Sequence, residues 1–299
     1  GRDSPESVCE TRRMSKFILS NRRELLLGAA GASLYATLPG IAAASAQRSF
    51  TPDFADPVEA LRAHVKLVGT LASDTVYSFY RLNIYADLCE GNFVPLYTMN
   101  NLLIDRWEAR GDNQFQMTKY EAGYYTEIDS YEPLDAVKHP VTGAPVPIQN
   151  FLLGPVPRGY SPDGYVVMGY NPNPLPLEVI GERVFLATQS IESSPSFFDP
   201  TKTHYTNSFM TYSAELADMQ NPDLASAPVH AQLQNKTMWM PWMNMGEQPG
   251  GTVVRGYGSK IAGLDALPPG VLDEFGKRTP QILDIENWKG FLSEASSPE

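Results

Sequence analysis

The stretch TVYSFYRLNIYADL, Thr75–Leu88, decides the fold. Read as an extended chain, it places Tyr77, Phe79, Arg81, Asn83 and Tyr85 on one side and Val76, Tyr80, Leu82 and Ile84 on the other. A period of two, carried by aromatic and branched residues, predicts a β-strand. Glu90-Gly91-Asn92 then makes a turn, and FVPLYTMNNLLIDRWEA, Phe93–Ala109, reads as a second strand. Gly111-Asp112-Asn113 turns again, and QFQMTKYEAGYYTEID, Gln114–Asp129, reads as a third, with Phe115, Met117, Lys119 and Glu121 on one face. Turns at such regular spacing predict an antiparallel meander.

Upstream of it, TPDFADPVEALRAHVKLVGT, Thr51–Thr70, predicts one short helix. Asp56 is the cap, Pro57 the first helical residue, and Val58, Leu61, Val65 and Val68 recur at helical spacing. His64 lies beside that stripe and reads as a partly buried or surface histidine. Downstream, residues 135–176 are dense in proline and glycine, which excludes a continuous helix and predicts ordered loops with short edge strands. Strands resume at RVFLATQSI (183–191), THYTNSFMTYSAEL (203–216), PVHAQLQNKTMWM (228–240) and TVVRGYGSKI (252–261), with short helices at Leu216–Met219 and Pro269–Phe275. Trp288 and Phe291 are expected to tie the C-terminal segment back to the body. The expected architecture is mainly β: a large antiparallel meander closing into a barrel-like, calycin-like sheet with a few short helices.

Charge and cysteine narrow the function. The formal net charge of the 299 residues is −11. Such a balance repels phosphate backbones and anionic lipids, so neither nucleic acid nor a membrane surface is an expected partner. Residues 14–46, MSKFILSNRRELLLGAAGASLYATLPGIAAASA, read as a twin-arginine export signal. Arg22-Arg23 precedes an apolar Ala/Gly/Leu stretch, and Ala42-Ala43-Ala44-Ser45-Ala46 supplies the small side chains of a cleavage site. The expected organisation is thus a signal peptide with an upstream extension over residues 1–46 and a single β-rich domain over 47–299. It implies a periplasmic or secreted protein with no membrane association once processed. Of the two cysteines, Cys9 falls in the leader, leaving Cys89 as a lone, small, half-buried residue.

Several segments together resemble the family catalogued as domain of unknown function 1838: VYSFYRLNIYADL (76–88), YEAGYYTEIDSYEPLDAVKHPVTGAPVPIQNF (120–151), TNSFMTYSA (206–214) and TMWMPWMNMGEQPGG (237–251). The second is the most specific, with Tyr124-Tyr125, Pro133-Leu134 and the Pro140-Val141-Thr142-Gly143 turn ahead of Val146. The resemblance spans residues 56–280. It implies a β-rich domain, commonly exported, and no catalytic residues to carry over.

No serine-hydrolase elbow, zinc-protease helix, phosphate loop or dinucleotide fingerprint is present, and no cofactor is implied. The informative residues are polar groups on faces that also carry aromatic rings. If those faces line a barrel, His230, Arg81, Glu121, Tyr85 and His204 are the candidate catalytic groups: an imidazole base, an anion-binding guanidinium with a carboxylate partner, and a phenol donor. Tyr80 and Tyr212 are further donors. Tyr77, Phe79, Asn83, Tyr212, Lys236, Met238, Trp239 and Trp242 are the candidate ligand-binding residues. The octet MWMPWMNM, Met238–Met245, reads as core, as the wall of an organic-ligand cavity, or as a copper site built on Met238 and Met240. The function expected is cofactor-independent lyase, isomerase, cyclase or hydrolase chemistry on an aromatic or apolar organic molecule. The alternatives are a non-catalytic binding protein for a hydrophobic ligand and a copper-binding protein.

Overall fold

The computed structural model describes residues 54, 56–162, 164–167, 173–174, 177–195 and 203–288, without the side chains of 164–167, 173–174, 190–195 and 203–204. The leader, Cys9 and Phe291 lie outside the described residues.

A helix, α1 (Pro57–Val68), comes first. Asp56 caps it through its carboxylate, which accepts from the amides of Val58 and Glu59. The strands follow as β1 (Asp74–Asp87), β2 (Phe93–Ala109), β3 (Phe115–Thr126), β4 (Ala136–Lys138), β5 (Pro145–Pro147), β6 (Phe151–Ser161), β7 (Gly164–Val167), β8 (Asn173–Pro174), β9 (Glu178–Ile180), β10 (Arg183–Pro195), β11 (Thr203–Glu215), β12 (His230–Thr237) and β13 (Gly251–Ile261). Two short helices complete the fold, α2 (Leu216–Gln220) and α3 (Val271–Arg278). No helix among the described residues is long and apolar enough to cross a membrane.

Eleven strands form one antiparallel sheet in the order β7-β6-β3-β2-β1-β13-β12-β11-β10-β8, with β9 also on β10; β4 and β5 make a separate hairpin. The last long strand, β13, returns to pair with the first, β1, which places β1 and β2 at the centre. The expected barrel does not close: among the described residues no pairing joins β7 to β8, β9 or β10. The terminal strands are short, and β8 contains a proline that cannot donate to a ladder. The expectation of edge strands in the proline-rich middle also needs correction. β6 runs eleven residues and pairs β3 along most of its length. Its Pro155 and Pro157 precede Arg158–Ser161, the part that β7 covers, so they fall where β6 has only one partner among the described residues.

The sheet curls into a trough. Its inner face carries Tyr80, Leu82 and Ile84 of β1, and Gly256 and Gly258 of β13 stand opposite Leu82 and Tyr80. A Cβ at Gly258 would lie 2.4 Å from the Tyr80 ring, and one at Gly256 would lie 2.7 Å from the Leu82 side chain. The two glycines therefore let these side chains lie flat over β13. The ends of the trough are plugged. At one end α1 spans both arms: Leu61 and Val65 pack with Val76, Trp107, Phe115, Met117 and Tyr160, while Leu67 packs with Leu186, Ala214, Ala227 and Val229. At the other end Trp242, Val137 and Ile148 pack with Tyr97, Tyr125 and Leu103. The outer face of β2 and β3 is covered by α3 and its neighbours, with Phe275 and Ile282 buried against Leu102, Ala122 and Tyr124. Trp288 ties this segment down as expected: its indole donates to the Gly154 carbonyl at 2.7 Å and its ring meets Tyr120.

Cys89 departs from its half-buried sequence reading: it is exposed in the β1–β2 turn, with φ 61°.

The contact that seats α1 is testable. A Cβ at Gly69, the residue after the helix, would lie 2.1 Å from the buried Trp107 indole. Gly69→Ala is expected to lower stability by about 1–3 kcal/mol, the range for overpacking a filled core. Urea denaturation checks it; an unchanged midpoint would mean that α1 is not clamped on Trp107.

Candidate active site

Strand register decides which residues meet. Opposite Tyr80 on the inner face stands Asn101, and opposite Val76 stands Asp105. Lys119 of β3 faces Asp105, and Arg158 of β6 faces Met117. Glu121 follows two residues after Lys119 on the same face and accepts from the Asn101 amide at 2.7 Å. From the opposite arm Tyr212 of β11 reaches in, close enough to interact electrostatically with Tyr160, Arg158, Asp105 and Glu121. Acidic, basic, phenolic and amide groups from β1, β2, β3, β6 and β11 thus share one trough.

The burial of these groups is graded. Asn101 and Asp105 are buried at the floor, whereas Lys119, Glu121, Arg158 and Tyr212 are only partly covered and form the rim. Asn101 Oδ1 and Asp105 Oδ1 are buried acceptors with no hydrogen-bond partner among the described residues, and the buried donor Trp107 Nε1 further along β2 also has none there. Native proteins rarely leave such groups orphaned, because each one forfeits its bond to water.

Burial pushes the Asp105 carboxyl pKa up; Lys119 and Arg158 pull it back, Glu121 adds to the rise, and Lys260 lowers it further. Burial also raises the Tyr80 phenol, reinforced by Tyr212, Asp105 and Glu121, and raises Tyr212 likewise. Both phenols are therefore neutral donors at physiological pH. Lys260 lies on the same inner face but is committed elsewhere: its ammonium donates to the Lys66 carbonyl at 3.0 Å, the Gly69 carbonyl at 2.7 Å and Ser226 Oγ at 2.9 Å. It caps the C-terminal end of α1, although burial lowers its pKa to about 7. His64 of α1 is buried, contrary to the partly exposed reading, with its ring 5.9 Å from that of Tyr160 and its pKa pushed down to about 4 by burial.

The expected constellation is only partly assembled. Glu121 and Tyr212 lie in the trough. Arg81 does not: it is on the outer face, donates to the Ser130 carbonyl at 3.0 Å and stacks over the Tyr131 ring, so Glu121 is not its partner. His230 is also on the outer face, exposed, and bonded to Ser259 at 2.8 Å. Tyr77, Phe79, Asn83 and Tyr85 share the Arg81 face; Tyr77 and Phe79 pack toward the α3 side, and Asn83 accepts from Thr98 at 2.8 Å. On β1 and β12 the expected alternation holds, but the side expected to face inward is the outer one. The backbone of His204 is in β11; its side chain lies outside the described residues.

The octet resolves mainly into packing. β12 ends at Thr237, short of the expected Met240, because Pro241 opens a single-turn helix. Met243 and Met245 are buried, and Trp242 sits about 6 Å from the Tyr97 and Tyr125 rings. Trp239 donates to the Gln248 carbonyl at 2.9 Å. Met238 is exposed and Lys236 pairs with Asp87, both away from the trough. Among the described residues no three His, Cys, Asp or Glu gather into a metal site.

Asp105 gives a signed prediction. Its pKa is higher folded than unfolded, so the folded state binds the extra proton, and stability falls as pH rises from the ordinary Asp value of about 4 through the raised one. Asp105→Asn removes this dependence. The variant is expected to be more stable than the parent at neutral pH, because it removes a buried carboxylate. Chemical denaturation from pH 4 to 8 checks it, and a variant less stable at every pH would contradict it.

A family model described as "Protein of unknown function (DUF1838)" matches residues 73–287. No curated protein and no solved structure matches the chain. The matched span holds every described strand of the sheet and the whole of the Asp105–Glu121 trough and begins after α1, and on that match the chain belongs to the DUF1838 family.

Proposed function

We propose that the chain is a cofactor-independent enzyme that binds a small organic molecule in the trough and moves a proton on it, in lyase, isomerase, cyclase or hydrolase chemistry. The observation that carries this reading is Asp105: a buried carboxyl with an orphaned oxygen and a raised pKa, beside neutral phenols and a partly covered guanidinium. A carboxyl whose pKa burial raises is a stronger proton acceptor than an ordinary aspartate. Tyr80 and Tyr212 can donate to charge developing on a carbonyl or enol oxygen, and Arg158 can hold an anionic or carbonyl group at the rim. Asn101 holds Glu121 in place and offers its free carbonyl to the ligand. Apolar neighbours such as Leu103, Leu233 and Met210 suit an aromatic or aliphatic body.

A second reading is passive binding in the same trough. The apolar plugs at both ends favour retention of a hydrophobic ligand as much as turnover. Export through the twin-arginine route is part of the proposal and is supported by Arg22-Arg23 and the Ala-rich segment behind it.

The test uses protein recovered from the exported fraction of its native host, analysed by mass spectrometry for a co-purifying small molecule, which is then supplied to the stripped protein. Asp105→Asn and Glu121→Gln are expected to cut turnover about a hundredfold or more, the size of a lost general acid or base. Arg81→Ala and His230→Ala should leave it intact. Binding without turnover would select the passive reading. Activity that survives in Asp105→Asn and Glu121→Gln would refute both the site and the mechanism.

A further inference from the structure

Among the described residues, the outer face of the sheet is covered over β2 and β3 but bare over β11, β12 and β13. The register lines up rows across these strands: Thr211–Gln232–Tyr257, then Phe209–Gln234–Arg255, then Asn207–Lys236–Val253. Tyr257 is 68% exposed, Tyr205 55% and Phe209 45%, which is unusual for rings on a sheet that buries aromatics on both faces elsewhere. Gln232 and Gln234 stand exposed between the two rings, on β12. Phe209 and Tyr257 are two strands and one row apart, about 12 Å at ordinary strand spacing and rise.

Charge distinguishes this face further. The chain carries a net charge of −11, yet the outward positions of the three strands hold Lys236, Arg255 and His230 against one carboxylate, Glu215 at the end of β11, which Arg183 of β10 pairs at 2.8 Å. Lys236 is held by the mostly buried Asp87, which leaves Arg255 as the principal outward cation. Where the strands end, an open cleft of about 220 Å³ extends the surface, lined by Tyr205, Asn207, Lys236, Thr237 and Met238.

We propose that this face binds an extended acidic carbohydrate chain, of the uronic-acid type. The flat apolar faces of sugar rings stack on Phe209 and Tyr257. Hydroxyl groups bond to the Gln232 and Gln234 amides, which both donate and accept. A ring carboxylate meets the Arg255 fork. Other occupants fit less well. A two-fold pairing with a second copy of the chain would set cation against cation. An extended acidic peptide would add at a sheet edge rather than lie across a face. A nucleic acid duplex, with one charge per ~1.7 Å of its axis, is repelled by the rest of the molecule. The site is separate from the trough, whose residues have the opposite strand parity.

Affinity electrophoresis of the full chain in gels containing polygalacturonate tests this, with neutral dextran, single-stranded DNA and polyglutamate as comparison polymers. Retardation by polygalacturonate alone is expected, falling with added salt. Tyr257→Ala and Arg255→Gln should each weaken it about tenfold, the size of one lost stacking or charged contact. Ile180→Ala, an exposed apolar residue elsewhere on the sheet, should change nothing. The proposal is overturned by no retardation with polygalacturonate, by equal retardation with dextran, polyglutamate or DNA, or by Tyr257→Ala binding like the parent.

Discussion

The ammonium of Lys260 holds the molecule in its working shape. Its three bonds, to the carbonyls of Lys66 and Gly69 and to Ser226, fasten the end of α1 to the central strand β13. An open curled sheet has no closure of its own to fix the separation of its arms. Here α1 fixes it, because the helix packs on β2, β3 and β6 with one end and on β10 and β11 with the other. The device is repeated one step outward: Lys66 donates to the carbonyls of Met219 and Asn221, and so caps α2. Two lysines at two helix C-termini oppose the negative ends of both dipoles and satisfy carbonyls that would otherwise lack partners.

The inner face braced in this way carries charges among its apolar clusters. Asp105, Glu121, Lys119 and Arg158 balance one another electrostatically, but Asp105 keeps an unsatisfied oxygen and Asn101 an unsatisfied carbonyl. A carboxyl buried with an incomplete shell destabilises the fold, and apolar replacement would remove that cost. The arrangement therefore makes most sense as stability given up for a reactive site, which is where a sequence is expected to break its own packing rules.

Much of the fold was legible before any coordinates. The alternation in Thr75–Leu88, the turn residues after β1 and β2, and the Asp56-Pro57 helix start all correspond to observed elements. The signals are local, and local hydrogen bonding and capping produce them. The trough was legible only in part. Glu121 was found through its parity with Phe115 and Met117, and Asp105 could have been found the same way, as a lone carboxylate on the side of β2 shared with Leu103 and Trp107. Arg81 and His230 were misassigned because parity tells which residues share a side, not which side is buried. That depends on where α1 and α3 dock, a long-range matter. Arg158 was hidden in a proline-rich segment whose strand, β6, exists only because β3 offers it a partner. Closure failed for a related reason: nothing in the strand pattern reveals that short, proline-bearing end strands leave the ring unfinished.

The central claim is that the arms of the sheet face each other closely enough for Tyr212 on β11 to act on Asp105 on β2. A double-mutant cycle of Tyr212→Phe and Asp105→Asn, read by chemical denaturation at neutral pH, measures that interaction directly. The account predicts a coupling energy of about 0.5–3 kcal/mol, as for groups in one electrostatic network. Effects that add to within about 0.3–0.5 kcal/mol would place the two residues in separate environments and contradict it.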